Sequence, residues 1–348
     1  MRILVHEFAS GGGFAGRPVP ASLAREGRAM LTALLADLSA LGCHDIVTTT
    51  DCRFRLAAPR RVDVVTIDPG RPPLSKDLLA SVDAVWLIAP ETGGCLEQLA
   101  ASVERAGKPL LGTGSRAIRR AADKERLPQR LARRGVSHPR TRVIRPGDDV
   151  RAVAADVGYP IVVRPSRGAG CEGVRLARNS REARAAVAQA FRAGTAGAKA
   201  IVVQRFVPGV AASVSLISNG RRAIALSINA QAVKAGREFF YDGGRTPLDH
   251  PLAARGIDAA MSACQALGHL RGYVGVDLVL TDRDAVVIEV NPRLTTSYLG
   301  VRAALSGQNG DNVAAMAIAA CDGTTLPEPP PLRRVVRFTS AGRIVVTQ

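Results

Sequence analysis

Three polar side chains on two neighbouring apolar segments could together bind a metal ion: Asp277, Glu289 and Asn291. Both segments, residues 275–281 and 285–291, have the β-branched apolar composition of buried strands, and a short polar turn joins them. If that turn has three residues, the hairpin register brings Asp277 opposite Glu289. Asn291 lies two residues further along and projects to the same face as Glu289. The pattern predicts a cluster of oxygen ligands on one face of a sheet.

Two carboxylates that face each other need a cation between them, because like charges repel and an unpaired buried charge is costly. Carboxylate and amide oxygens are ligands that Mg²⁺ and Mn²⁺ prefer, with phosphate and water oxygens completing the coordination. We therefore predict a divalent-metal site and a phosphate-bearing substrate. A second explanation stays open, in which one carboxylate forms an ion pair with an arginine at the edge of the sheet.

A phosphate-binding loop is predicted upstream of this hairpin. Residues 158–174 have the pattern of a strand, a glycine-rich loop and the start of another strand. Glycines allow backbone N–H groups to approach phosphate oxygens closely, and Arg164 adds a positive charge at the end of the first strand. We assign these loop residues to nucleotide binding: Ser166, Gly168, Gly170 and Gly173.

Composition argues against several other classes of protein. The chain has 348 residues, 47% of them hydrophobic, which is typical of a globular protein with two or three domains. Its formal net charge is +17, but arginines are spread along the whole chain and aromatic residues make up only 4%. Aromatic side chains on which bases could stack are therefore scarce, and we do not expect nucleic acid as a partner.

Cysteine usage and hydropathy favour a soluble cytoplasmic protein. The six cysteines are scattered and include no Cys-x-x-Cys pair, which is typical of free thiols in a reducing compartment. No apolar run approaches the roughly 20 residues that a membrane-spanning helix needs. Charged residues interrupt the first apolar stretch, unlike in a signal peptide. We expect small-molecule partners and no membrane, and the sequence leaves open whether the chain forms a homodimer.

The order of predicted elements divides the chain into three parts. Residues 1–112 alternate strands and helices, which predicts a parallel sheet covered by helices. Residues 113–205 and 206–348 mix helices with antiparallel strand patterns, so the expected fold class is α/β and α+β. Residues 11–16 match Gly-x-Gly-x-x-Gly, but arginine and proline follow where a pyrophosphate-binding helix should begin, so we reject a dinucleotide site. Residues 236–250 have the pattern of a mobile loop that could act as a lid.

The order Asp123-Lys124, glycine-rich loop, paired carboxylates resembles the ATP-grasp superfamily over residues 115–325. The resemblance implies two α+β subdomains that clasp ATP after the N-terminal α/β domain, with ATP and Mg²⁺ or Mn²⁺ as cofactors. It implies that Lys124 and Arg164 bind nucleotide phosphates, although the family usually has lysine at the second position. Asp277, Glu289 and Asn291 match the family's metal ligands.

The resemblance also implies an adenine site at the hinge between the subdomains. Gln204 would face the amino group of adenine, and the backbone of the next three residues would bind the ring: Arg205, Phe206 and Val207. A glutamate that often binds ribose in the family is absent, because Ala211 stands at that position.

Shorter strings within the chain resemble the tyramine–L-glutamate ligases of methanofuran biosynthesis. These strings are "HEFASGGGF" (6–14), "GAGCEGV" (168–174), "SVSLISNG" (213–220) and "EVNPRLTTSY" (289–298). The resemblance implies that ATP phosphorylates the γ-carboxylate of glutamate and that the amine of tyramine then displaces phosphate. Arg293 would bind the acid substrate or the transferred phosphoryl group, and its alternative role is an ion pair with Glu289.

Six further side chains are predicted to contact the substrates: Asn229, Gln231, Tyr241, Arg245, Thr295 and Ser297. Structural roles stay open for some of them, since Thr295 and Ser297 could cap a helix and Asn229 and Gln231 could lie on a solvated strand face. Two other functions also stay open: a D-alanine–D-alanine-type or other amino-acid ligase, and a non-catalytic nucleotide-binding or regulatory protein.

Overall fold

The computed structural model describes residues 1–14, 16–166, 168, 171, 173–193, 200–305, 311–323, 326, 328–329 and 331–347. Its strands form three sheets, one parallel and two antiparallel. This arrangement confirms the expected mixture of an N-terminal parallel α/β part and a following α+β part.

The N-terminal sheet is parallel and has the strand order β3-β2-β1-β4. Its strands are β1 (Arg2–Glu7), β2 (Asp45–Asp51), β3 (Val62–Ile67) and β4 (Ala84–Ile88). Three helices connect and cover them: α1 (Ala21–Leu41), α2 (Lys76–Ala80) and α3 (Cys95–Arg105). Strands β1 and β4 are buried along almost their whole length, as expected for parallel strands with helices on both faces.

Two short helices, α4 (Ser115–Ala122) and α5 (Leu127–Ala132), lead into the second sheet. The chain leaves helical geometry at Asp123, which separates the two helices. The second sheet is antiparallel with the order β5-β8-β6-β7 and consists of β5 (Thr141–Ile144), β6 (Ile161–Pro165), β7 (Arg175–Ala177) and β8 (Ile201–Arg205). Helices α6 (Val150–Val157) and α7 (Ser180–Ala193) pack on it.

The largest sheet has seven strands in the order β13-β12-β9-β10-β11-β14-β15. Its strands are β9 (Val210–Asn219), β10 (Ala223–Ala235), β11 (Phe239–Thr246), β12 (Arg271–Leu280), β13 (Ala285–Asn291), β14 (Val335–Phe338) and β15 (Ile344–Thr347). Helix α8 (Ala253–Leu267) covers one face, and α9 (Ser297–Leu305) and α10 (Val313–Cys321) cover the other. The expectation of a mobile loop over residues 236–250 is wrong, because β11 occupies most of that segment.

One hydrophobic core joins the N-terminal sheet to the large sheet. Apolar side chains of α1 pack together with those of α9 and α10. At this junction the Arg302 guanidinium donates to both carboxylate oxygens of Asp37, and the Tyr298 hydroxyl donates to the same carboxylate. Because the two parts share a core, residues at the ends of the N-terminal strands are held in fixed positions relative to the large sheet.

All six cysteines are free. Among the described residues, no helix is both long enough and apolar enough to cross a membrane.

Candidate active site

The hairpin of β12 and β13 brings the predicted metal ligands together. Asp277 pairs with Glu289, and Gly275 pairs with Asn291, so both carboxylates and the amide project from one face. The pairing agrees with the sequence prediction, but the turn does not. Leu280 pairs with Ala285, so the turn has one residue more than expected, and an irregularity between Asp277 and Leu278 restores the register.

Glu289 is the point where two basic side chains meet. The Lys124 ammonium lies 2.6 Å from Glu289 Oε1, and the Arg164 guanidinium donates to Glu289 Oε2. All three side chains are less than 10% exposed. Burial would raise the pKa of Glu289, but the positive charges of Arg164 and Lys124 outweigh burial and lower it to about 2. Glu289 is therefore ionised, and because it pairs with two cations, the group of three side chains keeps one formal positive charge.

Asp277 has no cation in direct contact within the described part of the chain. Its Oδ1 accepts a hydrogen bond from Gln231 Nε2 at 2.8 Å, and its Oδ2 accepts one from Asn291 Nδ2 at 2.9 Å. Burial and the nearby negative charge of Glu289 raise the pKa of Asp277 to about 6, against the opposing effect of these two hydrogen bonds. The site thus contains one carboxylate neutralised by cations and one held by amides.

The donor set suits a hard divalent cation that is also bound by phosphate. Asp277 and Glu289 offer carboxylate oxygens, and Asn291, whose Nδ2 donates to Asp277, has its carbonyl oxygen left to offer. In the described part of the chain no group of three or more His, Cys, Asp or Glu side chains could hold a metal ion. So few protein ligands fit Mg²⁺, which usually keeps water and substrate phosphate oxygens in its coordination.

The N-terminal sheet contributes a second buried ion pair. Glu91 follows the carboxyl end of β4, and its carboxylate accepts two hydrogen bonds of 2.9 Å from Nε and Nη2 of Arg293. The Glu91 side chain is 1% exposed and the Arg293 side chain 13%. The expected alternative, a pair between Arg293 and Glu289, is not observed. In open parallel sheets, ligands bind outside the carboxyl ends of the strands, and this pair occupies that position.

Helix α1 contributes a further carboxylate, Glu26, near Arg293 and Asp277. We call the space between these three side chains the crevice. The Thr296 hydroxyl donates to Glu26 Oε1. Tyr241 is hydrogen-bonded to Thr296 and Ser297, and burial together with the negative charge of Glu26 raises its pKa well above the ordinary value. Within the part of the chain that the structure describes, Glu26 forms no ion pair.

The predicted phosphate loop lies beside Lys124. The Lys124 ammonium donates to the carbonyl oxygen of Gly168 at 2.7 Å, which ties the loop to Glu289 through one side chain. Gly173 has a φ of 70°, a conformation that favours glycine. Ser166 begins the loop directly after β6. Gly170 lies outside the described residues.

The predicted adenine site lies where β8 leaves the small sheet. Gln204 is 7% exposed, and its Nε2 donates to Thr141 Oγ1. The backbone N–H groups of Arg205 and Phe206 donate to Arg140 and Pro160. Val207 is half-buried in the link to β9. These residues join the two antiparallel sheets.

Two predicted substrate residues differ in position: Asn229 lies on the same face as Asp277 but is fully buried, whereas Arg245 lies on the opposite face. Asn229 is fully buried, and its amide is bonded to serine and threonine side chains of the large sheet: Ser213, Ser215, Ser227 and Thr246. The alternative role of Asn229 on a solvated strand face is wrong, because the side chain is fully buried, and its contact with substrate stays a prediction. Arg245 pairs with Ala230, whose face packs against α8, whereas Gln231 and Asp277 lie on the opposite face.

Thr295 and Ser297 are built into the local structure. The Thr295 carbonyl accepts from Tyr298 N–H, and its side chain packs against Gly275, where a Cβ would be 2.5 Å from Thr295 Cγ2. Ser297 Oγ lies 3.1 Å from Ser213 Oγ and near Tyr241. Ser297 therefore lies beside the crevice, whereas Thr295 supports the turn into α9.

Sequence reasoning missed three residues of the crevice: Glu26, Glu91 and Thr296. Glu91 could have been found, because it follows the apolar strand "AVWLI" by three residues, and carboxyl ends of parallel strands form ligand sites. Glu26 lies within an amphipathic helix and resembles any solvated acidic residue. Only the packing of α1 against α9 and α10 shows its position.

Comparison with known proteins gives matches to both halves of the chain. A family model described as an ATP-grasp domain matches residues 121–297, and one described as a pre ATP-grasp 3 domain matches residues 44–118. A putative ATP-grasp superfamily protein from Archaeoglobus fulgidus has a similar structure, with a TM-score of 0.68, 25% identity, and coverage of 97% of this chain and 92% of that one.

Curated relatives include several ligases and synthases. The carbamoyl phosphate synthase large chain of a Thermus thermophilus strain is 28% identical over 70% of this chain, which spans only 24% of that protein. A D-alanine–D-alanine ligase from Desulforudis audaxviator is 30% identical over 56% of this chain and 66% of the relative. A tyramine–L-glutamate ligase from Methanocaldococcus jannaschii is 35% identical over 29% of this chain and 32% of the relative.

Proposed function

Because the chain belongs to the ATP-grasp family, we propose that it is an ATP-dependent ligase that joins a carboxylate to an amine. The observation that carries the proposal is the convergence of Lys124 and Arg164 on Glu289, directly opposite Asp277. Two carboxylates on one face of the large sheet, with two cations paired to one of them, suit the binding of metal-complexed phosphates. The ligases among the similar proteins support the reaction type.

In the proposed reaction the γ-phosphoryl group of ATP passes to an oxygen of the acid substrate, and ADP leaves. The amine nitrogen then attacks the acyl carbon, the bond to the phosphate oxygen breaks, and phosphate leaves with its electron pair while the nitrogen loses a proton. Asp277, Glu289 and Asn291 would hold Mg²⁺ or Mn²⁺, which would neutralise phosphate charge. Such catalysis depends mainly on orientation and charge stabilisation.

Arg293 would stabilise the negative charge of the acid substrate or the transferred phosphoryl group. Glu91 occupies Nε and one N–H of Nη2, and Nη1 donates to the carbonyl of Leu294. One N–H on each terminal nitrogen is left for a ligand, since a guanidinium has five donors. Glu91 thus orients Arg293 for catalysis.

For the substrates we propose glutamate and tyramine, with a γ-glutamyl amide as product. The crevice near Glu26 and Tyr241 supports an amine on this side, because Glu26 is a carboxylate without a cation partner in the described residues and could accept an N–H. Arg293 would bind the acid substrate, glutamate. The partial match to a tyramine–L-glutamate ligase supports the same pair of substrates.

The test is to mix the purified chain with ATP, Mg²⁺, glutamate and tyramine, and to measure ADP, phosphate and the amide by mass spectrometry. We expect one ADP and one phosphate for each glutamyl-tyramine. ATP-dependent dialanine without glutamyl-tyramine would instead support an amino-acid ligase, which the match to a D-alanine–D-alanine ligase favours as second candidate. Absence of ADP with every acid and amine tried would contradict the ligase proposal.

A further inference from the structure

A cavity of about 230 Å³ lies at the turn between β9 and β10, away from the candidate active site. Ser218 lines this cavity, whereas Ser213, five residues earlier on β9, pairs with Asp277. Five residues of an extended strand span about 17 Å. A ligand in this cavity would therefore not touch the paired carboxylates.

Among the described residues, the cavity is lined by basic side chains and by no acidic one. Arg134, which follows α5, and the consecutive Arg221 and Arg222 of the β9–β10 turn form part of its wall, together with Gln265 of α8. The backbone N–H groups of Arg221 and Arg222 both donate to Asn219 Oδ1, which fixes the turn from which the two side chains project.

Two more arginines reach residues of the cavity wall. Arg120 Nη2 donates to the carbonyl of Gly268 at 3.0 Å, and its Nε is buried without a hydrogen-bond partner in the described part of the chain. Arg271 lies against Gly220, where a Cβ would be 3.2 Å from Arg271 Nε. Both Gly268 and Gly220 line the cavity.

None of these five arginines pairs with a carboxylate within the described ranges, although many other arginines of the chain do. Guanidinium groups collected around one cavity repel each other, and Arg120 leaves one buried donor unsatisfied. A bound anion would offset this repulsion between the arginines that line the cavity, Arg134, Arg221 and Arg222.

We propose that this cavity is a second anion site that binds a small ligand with two or more negative charges, of the phosphate or pyrophosphate class. Arginine favours this class because its planar fork matches phosphoryl oxygens in a bidentate manner. The volume is below the roughly 300–1,000 Å³ of pockets for drug-sized ligands, so a whole nucleotide is not expected. The site is independent of the proposed ligase activity.

The test is calorimetric titration of the full chain with pyrophosphate in the absence of divalent metal. We expect two binding events, one at Lys124 and Arg164 in the candidate active site and one at the arginine-lined cavity. Arg221→Ala with Arg222→Ala should weaken the second event at least tenfold and leave ATP consumption unchanged. Lys124→Ala should weaken the first event only.

Two controls distinguish a specific anion site from nonspecific attraction of anions to a positively charged protein. Arg60→Ala with Arg61→Ala removes another exposed arginine pair, in the turn before β3, and should keep both binding events. Arg221→Lys with Arg222→Lys keeps the positive charges but removes the planar guanidinium groups. This variant should weaken pyrophosphate binding at the cavity less than the double alanine variant does. The proposal would be overturned by a single binding event in the original chain. It would also be overturned if the Arg60/Arg61 variant weakened the second binding event as much as the Arg221/Arg222 alanine variant does.

Discussion

Asp277 and Glu289 face each other, yet their surroundings predict opposite effects of neutralising them. Glu289 forms ion pairs with two buried cations, whereas Asp277 is a half-buried carboxylate held by amides. We expect Asp277→Asn to leave the free energy of unfolding unchanged or higher, because a half-buried charge that faces the negative charge of Glu289 disappears. Glu289→Gln should lower it by about 3–5 kcal/mol, because Lys124 and Arg164 lose their partner.

Urea unfolding of both variants tests this contrast, and ADP release tests their role in the reaction. Both variants should lose turnover if the two carboxylates hold the metal ion. Equal stability of Asp277→Asn and Glu289→Gln would contradict the charge arrangement. Full turnover in either variant would contradict the metal assignment.

His6 predicts a pH dependence of stability. It is fully buried, its Nδ1 lies 2.7 Å from Thr49 Oγ1, and burial lowers its pKa from 6.5 to about 4. Between these pH values the unfolded chain binds the proton more readily than the folded chain, so the contribution of His6 is present above pH 6.5 and is lost as the pH falls. We expect a loss of about 2–3 kcal/mol between pH 7 and pH 4.5.

The measurement is the free energy of unfolding at both pH values for the unaltered chain and for His6→Asn. The variant should lose about 2–3 kcal/mol less than the unaltered chain over this range. His269→Asn, at an exposed histidine, is the matched control and should keep the original dependence. Identical pH profiles for the unaltered chain and His6→Asn would refute the role of His6.

The hairpin of β10 and β11 connects the large sheet to the small one. At its tip, Phe239 N–H donates to the carbonyl of Val174, the residue that follows the phosphate loop, and Arg175 forms an ion pair with Glu238. The predicted mobile lid is therefore a strand pair whose end contacts the base of the loop. This contact should help to keep the loop over bound nucleotide.

We expect Glu238→Arg to raise the KM for ATP about two- to fivefold with little change in kcat. The effect is modest because the Glu238 side chain is 59% exposed, and exposed ion pairs contribute only about 0.2–1 kcal/mol. Steady-state kinetics of Glu238→Arg and of the swapped pair, Arg175→Glu with Glu238→Arg, measure this coupling. If the swapped pair did not restore the original KM for ATP, the ion pair would not position the loop.

At the scale of the whole molecule, the ion pair of Glu91 and Arg293 links the N-terminal sheet to the crevice. Glu91→Gln should cost about 3–5 kcal/mol of unfolding free energy, because Arg293 stays buried with its charge uncompensated. It should also lower kcat, since Arg293 loses its orientation. Denaturant unfolding and single-turnover kinetics measure both effects.

The matched control for this variant is Asp63→Asn, which breaks an ion pair with Arg2 whose side chains are 64% and 42% exposed. It should cost less than about 1 kcal/mol. If Glu91→Gln and Asp63→Asn had equal effects, the pair at the crevice would contribute no more than a surface contact.

Local patterns in the sequence determined the elements and the chemistry of the central hairpin. The β-branched apolar composition predicted residues 285–291 as a strand, and the structure has the same bounds. Side-chain type and spacing predicted that Asp277 faces Glu289, because strand periodicity fixes which residues share a face. The ATP-grasp architecture could also be predicted, since its motifs occur in a fixed order along the chain.

Only the tertiary structure decided how the elements meet. The turn before β13 is longer than predicted, and only the irregularity in the strand pairing restores the register of Asp277 and Glu289. Glu26 and Glu91 reach the crevice because the N-terminal sheet and α1 share one hydrophobic core with α9 and α10, which cover the large sheet. Asn229 is a buried residue whose amide is satisfied by four neighbouring side chains. Such contacts join residues far apart in the chain, and no local periodicity specifies them.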